Sequence, residues 1–154
     1  MLYLTLKYAH VVGAVVLLGT GGGIAFFMLM AHRTGEAAHV AMTAQTVVVA
    51  DTIFTATAVV VQPVTGLLLA REVGYPLSEP WIVASVALYL LAGAAWLPVV
   101  VIQIRMRDLA RAAAANGAAL GADYHALFRR WFVLGFPGFG AVVAILWLMI
   151  AKPG

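Results

Sequence analysis

His10 is the first residue in this sequence whose type and place could do chemistry. It lies in the apolar run Leu2 to Met30, about 12 Å in from the start of that run at a helical rise of 1.5 Å per residue. That is deeper than a side chain reaching back to a membrane surface needs to be. An imidazole at such a depth can ligate a metal, move a proton or bond a neighbouring helix. Gly13, Ala14, Leu17 and Gly21 follow it at helical spacing and make a smooth strip. Such a strip either admits another helix closely, with Gly19-x-x-x-Gly23 as a packing motif, or leaves room for a flat macrocycle against the backbone. Lys7, one turn outward, can anchor at the interface or pair with an anionic group beside the imidazole.

In a second apolar run, Asp51, Thr55, Ala58, Gln62, Thr65 and Gly66 recur in steps of three and four and share one face that must turn away from lipid. Ser85, Tyr89, Ala92, Trp96, Val99 and Gln103 do the same in a third, with Pro98 loosening the hydrogen-bond ladder beside them. Two such stripes either line a ligand or join helices through bonds averaging well under ~1 kcal/mol each. Met28, Met30, His32, His39, Met42, Met106 and His125 gather near the other ends of the runs. Imidazole and thioether suit copper, but nothing in their spacing sets a geometry, and solvated loop histidines account for them as simply. No HExxH, GxSxG, phosphate-binding loop or EF-hand pattern is present.

The elements that must position these residues follow from composition. With 154 residues, 64% hydrophobic and 10% charged, the chain is excluded from the class of water-soluble globular domains. Leu2 to Met30, Thr46 to Ala70, Trp81 to Ile104 and Trp131 to Ala151 each reach the roughly 17–25 residues that a spanning helix needs. An all-α membrane four-helix bundle follows, one domain over residues 1–154, with short connections making neighbouring helices antiparallel. The first run exceeds the h-region of a signal peptide and is read as a retained helix. The connection Arg105 to Arg130 is alanine-rich and breaks at Asn116-Gly117 between two helical extensions; Asp123, Leu127 and Trp131 set against Arg129 and Arg130 suit a helix lying at the interface, but a plain alanine-rich helical linker is the preferred reading.

The absence of cysteine excludes disulfides, thiolate metal sites, iron–sulfur clusters and covalently attached haem. The net charge of +3 sits in flanks of the apolar runs, so the bilayer is the expected partner and nucleic acid is not. Arg33, Arg105, Arg107, Arg111, Arg129 and Arg130 border the first and third connections, against Lys7, Arg71 and Lys152 on the other side. Basic residues stay in the cytoplasm, which puts both termini outside, at the periplasm of a bacterial inner membrane. His10 is then level with Gln62, Thr65, Ser85, Tyr89 and Trp147. Asp51 and Gln103 fall at the inner level, so a relay from Asp51 to His10 would cross most of the membrane and none is expected.

The order of Lys7-Tyr8-x-His10, Gln62-Pro63-x-Thr65-Gly66, Trp96-Leu97-Pro98 and Trp147-Leu148-Met149-x-x-Lys152-Pro153 resembles a superfamily of small four-helix membrane proteins. It includes CopD-like copper-resistance domains and HemJ-type protoporphyrinogen oxidases, and the chain is most similar to an uncharacterised family of predicted integral membrane proteins within it. The resemblance implies a bundle that binds haem b with His10 on the iron. Gln62, Thr65 and Tyr89 would border the cofactor, Met149 or a histidine of another protomer would be the sixth ligand, and Lys7 and Arg71 would meet the propionates. The lysine that HemJ-type enzymes carry on their third helix is missing from Leu90 to Trp96, so protoporphyrinogen oxidation is disfavoured and a different haem-dependent oxidoreductase is the enzyme class implied. A homo-oligomer, with a dimer favoured, and a quinone or redox partner accompany this reading. Copper or small-solute transport and a cofactor-free membrane scaffold are the alternatives.

The orientation is directly measurable. Reporters fused after Gly35 and after Asn116 should be cytoplasmic and one fused after Gly154 external, as read by activity of a compartment-dependent enzyme pair; a cytoplasmic C-terminal reporter in an intact four-span protein reverses the assignment.

Overall fold

The computed structural model of the chain describes residues 1–153. Helix α1 (Leu2–Thr34) ends at Gly35, whose φ of 70° lets its N–H turn back to the His32 carbonyl. Helix α2 (Ala37–Ala50), a five-residue π turn (Asp51–Thr55) and α3 (Ala56–Val73) form one continuous rod, closed by Gly74 with φ 82°. Helix α4 (Pro80–Ala115) opens on a proline, which needs no donor in the first turn, and α5 (Ala122–Ala151) follows a break over residues 116–121. The four rods are long and apolar enough to cross a membrane, and the described residues contain no strand. An even number of rods brings both termini to one end of the bundle, here the terminal end; the Gly35–Glu36 turn and the 116–121 break mark the far end.

Two expectations change and one is met. The second rod begins at Ala37 rather than Thr46, because an alanine-rich stretch that is not apolar enough to read as a span is still a good helix former. The segment from Arg105 to Arg130 is, as expected, two helical extensions parted at Asn116-Gly117, the continuation of α4 and the start of α5, with no separate interfacial helix. His32 is not in a loop, since it occupies the last turn of α1 and stacks on Phe128 at 3.6 Å between centroids, with His125 5.4 Å away. His39 and Met42 are exposed, and no group of three or more His, Cys, Asp or Glu suited to a metal occurs among the described residues.

The packing is uneven along the axis. At the far end Met28, Val40, Met106 and Tyr124 are fully buried, with Ala31, Ala44, Ala110 and Phe128 between them. At the terminal end the buried cluster is only Ala70, Trp81 and Ile82, against which Tyr75, Leu148 and Met149 lie. Helix length explains the difference. The 36 residues of α4 extend about 54 Å, well beyond a hydrocarbon core of about 30 Å, so the far ends stand in water where burial of apolar surface drives packing. Between the leaflets lipid tails solvate Leu97, Val133, Phe136, Trp147 and Ile150 as well as protein would, and these side chains turn outward.

Inside the bilayer the helices pair: α3 leans on α1, and α4 on α5. A Cβ on Gly13 would meet Gln62 and one on Gly21 would meet Phe139, whereas Gly19 and Gly23 have no neighbour within 4 Å. The close approach is therefore made by Gly13 and not by the Gly19-x-x-x-Gly23 pair.

This asymmetry has a measurable consequence. Met106→Ala should lower unfolding free energy in mixed micelles by about 2–5 kcal/mol, the usual cost of a core cavity, while Gly19→Ala should leave it unchanged or slightly raised. Equal effects would contradict the packed far end.

Candidate functional site

The contact of α1 with α3 brings His10, Gln62 and Thr65 together, as their spacing anticipated. Thr65 Oγ1 lies 2.7 Å from the Val61 carbonyl and 2.8 Å from His10 Nδ1. Its one hydrogen is given to the carbonyl one turn back, so toward the imidazole the hydroxyl is an acceptor. With the Thr65 hydrogen given to that carbonyl, His10 donates to the hydroxyl from Nδ1 as the Nδ1–H tautomer, and Nε2 is the ring nitrogen outside this bond.

A second bond runs the other way. Gln62 Nε2 donates to the backbone carbonyl of His10 at 2.7 Å. Each polar side chain lies over a glycine of the facing helix: a Cβ on Gly13 would stand 2.5 Å from Gln62 Nε2, and one on Gly66 would stand 3.1 Å from His10 Cε1. Beside this contact an apolar cleft of about 320 Å³ runs between α1 and the second rod, bordered by Gly13, Val16, Phe54 and Val61.

Tyr89 joins α4 to the same region through a proline. Pro63 has no N–H to give the Val59 carbonyl four residues earlier, and the Tyr89 hydroxyl donates to that carbonyl instead. Ser85 bonds back to the Trp81 carbonyl at 2.7 Å and takes no part.

The other sequence candidates sit further out. Lys7 is exposed, with its ammonium 5.6 Å from the centroid of the Tyr3 ring. Arg71 is exposed in the last turn of α3. Met149 is half-buried against the Ala70–Trp81–Ile82 cluster, while Trp147 is 67% exposed on the outer face of α5.

A second polar node lies at the π turn. Asp51, 5% exposed, accepts from Trp96 Nε1 at 3.2 Å through one carboxyl oxygen and from Gln103 Nε2 at 3.3 Å through the other. Gln103 Oε1 in turn accepts from Trp131 Nε1 at 2.8 Å. The stripes on the second and third runs carried Asp51, Trp96 and Gln103, but Trp131 comes from the fourth and no periodicity linked it to them.

The model of a predicted integral membrane protein family (DUF2269) matches residues 4–153. The chain belongs to this family. No curated protein and no solved structure matches it. The family match covers both polar nodes and all four rods, so the residues described above lie within the region that defines the family. Sequence reading missed the dependence of Tyr89 on Pro63; the signal was there, since a proline inside a span always frees the carbonyl four residues before it.

That dependence predicts a non-additive pair. Tyr89→Phe should destabilise the protein by about 1–3 kcal/mol by leaving the Val59 carbonyl unpaired, and the loss should largely vanish in a Pro63→Ala background where a backbone N–H serves that carbonyl. Strictly additive losses would show that the hydroxyl does not serve the proline.

Proposed function

We propose that this membrane protein binds haem b through Nε2 of His10, in a redox, sensing or haem-handling role, as the resemblance to the CopD-like and HemJ-like superfamily implies. The observation that carries the reading is the Thr65 hydroxyl, which keeps the proton on Nδ1 and leaves Nε2 as a free donor atom directed by its neighbour. The donor set is compatible with a b-type group: one intramembrane imidazole so held, and no cysteine for a thioether link. When bound, haem would supply one-electron chemistry. The chain's own residues do the rest: Thr65 sets the tautomer, Gln62 fixes the His10 backbone, and Gly66 gives the ring its place against α3. Lys7 and Arg71, exposed at the terminal end, are the cations available to the propionates, and Met149 is the thioether available as a sixth ligand at that end. With the termini outside in a bacterial inner membrane, the group would lie toward the periplasmic leaflet, open to a quinone or redox partner, and a dimer would bring a second histidine to hand.

The cofactor-free alternative draws on the reciprocal glycine contacts, which by themselves suffice to hold α1 to α3. Spectroscopy separates the two. Purified protein should show a Soret band and a b-type pyridine haemochrome, and His10→Gly should lose the band and regain it on adding imidazole. Thr65→Val should weaken haem retention about 10–100-fold, the usual effect of losing the group that orients a ligating histidine. Full haem and an unchanged spectrum in His10→Gly would end the axial assignment, and destabilisation without any haem band would favour the scaffold.

A further inference from the structure

The π turn leaves two things unusual about the second polar node. The first is a hydroxyl. Along the same rod Thr46, Thr52, Thr57 and Thr65 each bond back to the carbonyl four residues earlier, at 2.6–3.2 Å. Thr55 does not. Its partner by that rule would be the Asp51 carbonyl, which instead takes the Ala56 N–H in the wider π pattern. Thr55 Oγ1 is the one buried side-chain oxygen or nitrogen without a hydrogen-bond partner among the described residues, and the residue is only 7% exposed. A buried hydroxyl left unpaired costs about 1–3 kcal/mol, so its place one turn from Asp51, on the same face, calls for a reason.

The second is the carboxyl. Asp51 is the buried carboxyl of this chain: Glu36, Glu72, Asp108 and Asp123 are exposed and Glu79 is half-buried in a loop. What faces it is neutral, namely the Trp96 indole and the Gln103 amide from α4, with Trp131 of α5 behind Gln103. Helix α1, which also packs on the π turn, has no titratable group from Val11 to Ala31, and α5 has none from Trp131 to Ala151. On α4 the titratable group of the span is Tyr89, which is committed to Val59; Arg107 pairs with Asp108, Arg111 donates to Gln45, and Arg105 is exposed. Arg107–Asp108 is the one ion pair among the described residues.

An acid surrounded by neutral donors, with a free hydroxyl beside it, is equipped to change its protonation without moving a salt bridge. We infer that Asp51 is a membrane-embedded proton-binding site, its carboxyl held by Trp96 and Gln103, with the Thr55 hydroxyl one turn along the same face as the acceptor that its hydrogen bond turns to when it is protonated. The step is the simple exchange of a carboxylate and a proton for a carboxylic acid, with no other bond made or broken. The node lies at the border of the packed far end, whose core reaches Val47 and Trp131. This reading does not depend on haem, and it makes no use of His10.

Infrared spectroscopy of the full chain in lipid tests it. The wild type should show the carbonyl stretch of a carboxylic acid that disappears reversibly as pH is raised within the range where the protein stays folded. Heavy-carbon labelling of aspartate carboxyls, and not of glutamate, should move that band, which assigns it without any substitution; Asp51→Asn should abolish it. Thr55→Val should shift its frequency while leaving the fold intact, an effect that a purely packing role would not produce. An apolar carbodiimide should form an adduct at Asp51 whose yield falls with pH in step with the band. The proposal is overturned if no acid band responds to aspartate labelling at any pH, or if the band persists unchanged across the whole folded range, which would make Asp51 a fixed structural acid. An unmoved band in Thr55→Val removes Thr55 from the site.

Discussion

Two polar side chains laid over two glycines hold the bilayer half of this protein together. His10 lies on Gly66 and bonds to Thr65, while Gln62 lies on Gly13 and bonds to the His10 backbone. Inside a bilayer there is no gain from bringing leucine to leucine, so helices associate where small residues let backbones approach and where polar groups find each other. The α1 and α3 contact meets both conditions at the same residues. It also sets what the site can do, because the bond that joins the helices is the bond that assigns the imidazole proton.

The same constraint accounts for the change of character along the axis. Where the rods leave the hydrocarbon, ordinary hydrophobic burial takes over, and Met28, Val40, Met106 and Tyr124 make a core like that of a soluble bundle. Between that core and the terminal end the helices part into pairs, with Tyr89 reaching across to a carbonyl that Pro63 cannot serve. The π turn lies at the change-over. A helix that must follow the tight packing of α2 on α4 and then the lean of α3 on α1 absorbs the difference in one widened turn, and Asp51 and Thr55 are the residues it contains. Placing a carboxyl and an unpaired hydroxyl where the ladder is already disturbed is the kind of local irregularity that π turns supply at functional positions.

The two polar nodes lie about 21 Å apart along one rod, the distance from Asp51 to Thr65 at 1.5 Å per residue. One presents a nitrogen lone pair at the terminal end, the other a carboxyl near the far end. They share the second rod and no hydrogen bond connects them directly. The charged residues that surround the bundle stay at its ends, where water or headgroups solvate them.

Much of this was determined by the sequence alone. A composition of 64% hydrophobic and 10% charged residues leaves no other solvent than lipid, and runs of about 20 apolar residues leave no other element than the helix, because an unpaired backbone cannot face hydrocarbon. Periodicity likewise settled which faces turn inward: Asp51, Thr55, Ala58, Thr65, Ser85 and Gln103 are all buried as their spacing requires. The far-end extensions were harder to read, since alanine is a strong helix former but a weak hydrophobe and Ala37–Gln45 gives no span signal. What only the tertiary structure decided is which inward-facing groups meet. Periodicity places a residue on a face, but rotation and height relative to another helix depend on packing between residues far apart in the chain. That is why the tautomer of His10, the joining of Trp131 to Gln103 and Asp51, and the release of the Thr55 hydroxyl by one wide turn are properties of the folded bundle and not of any run of residues.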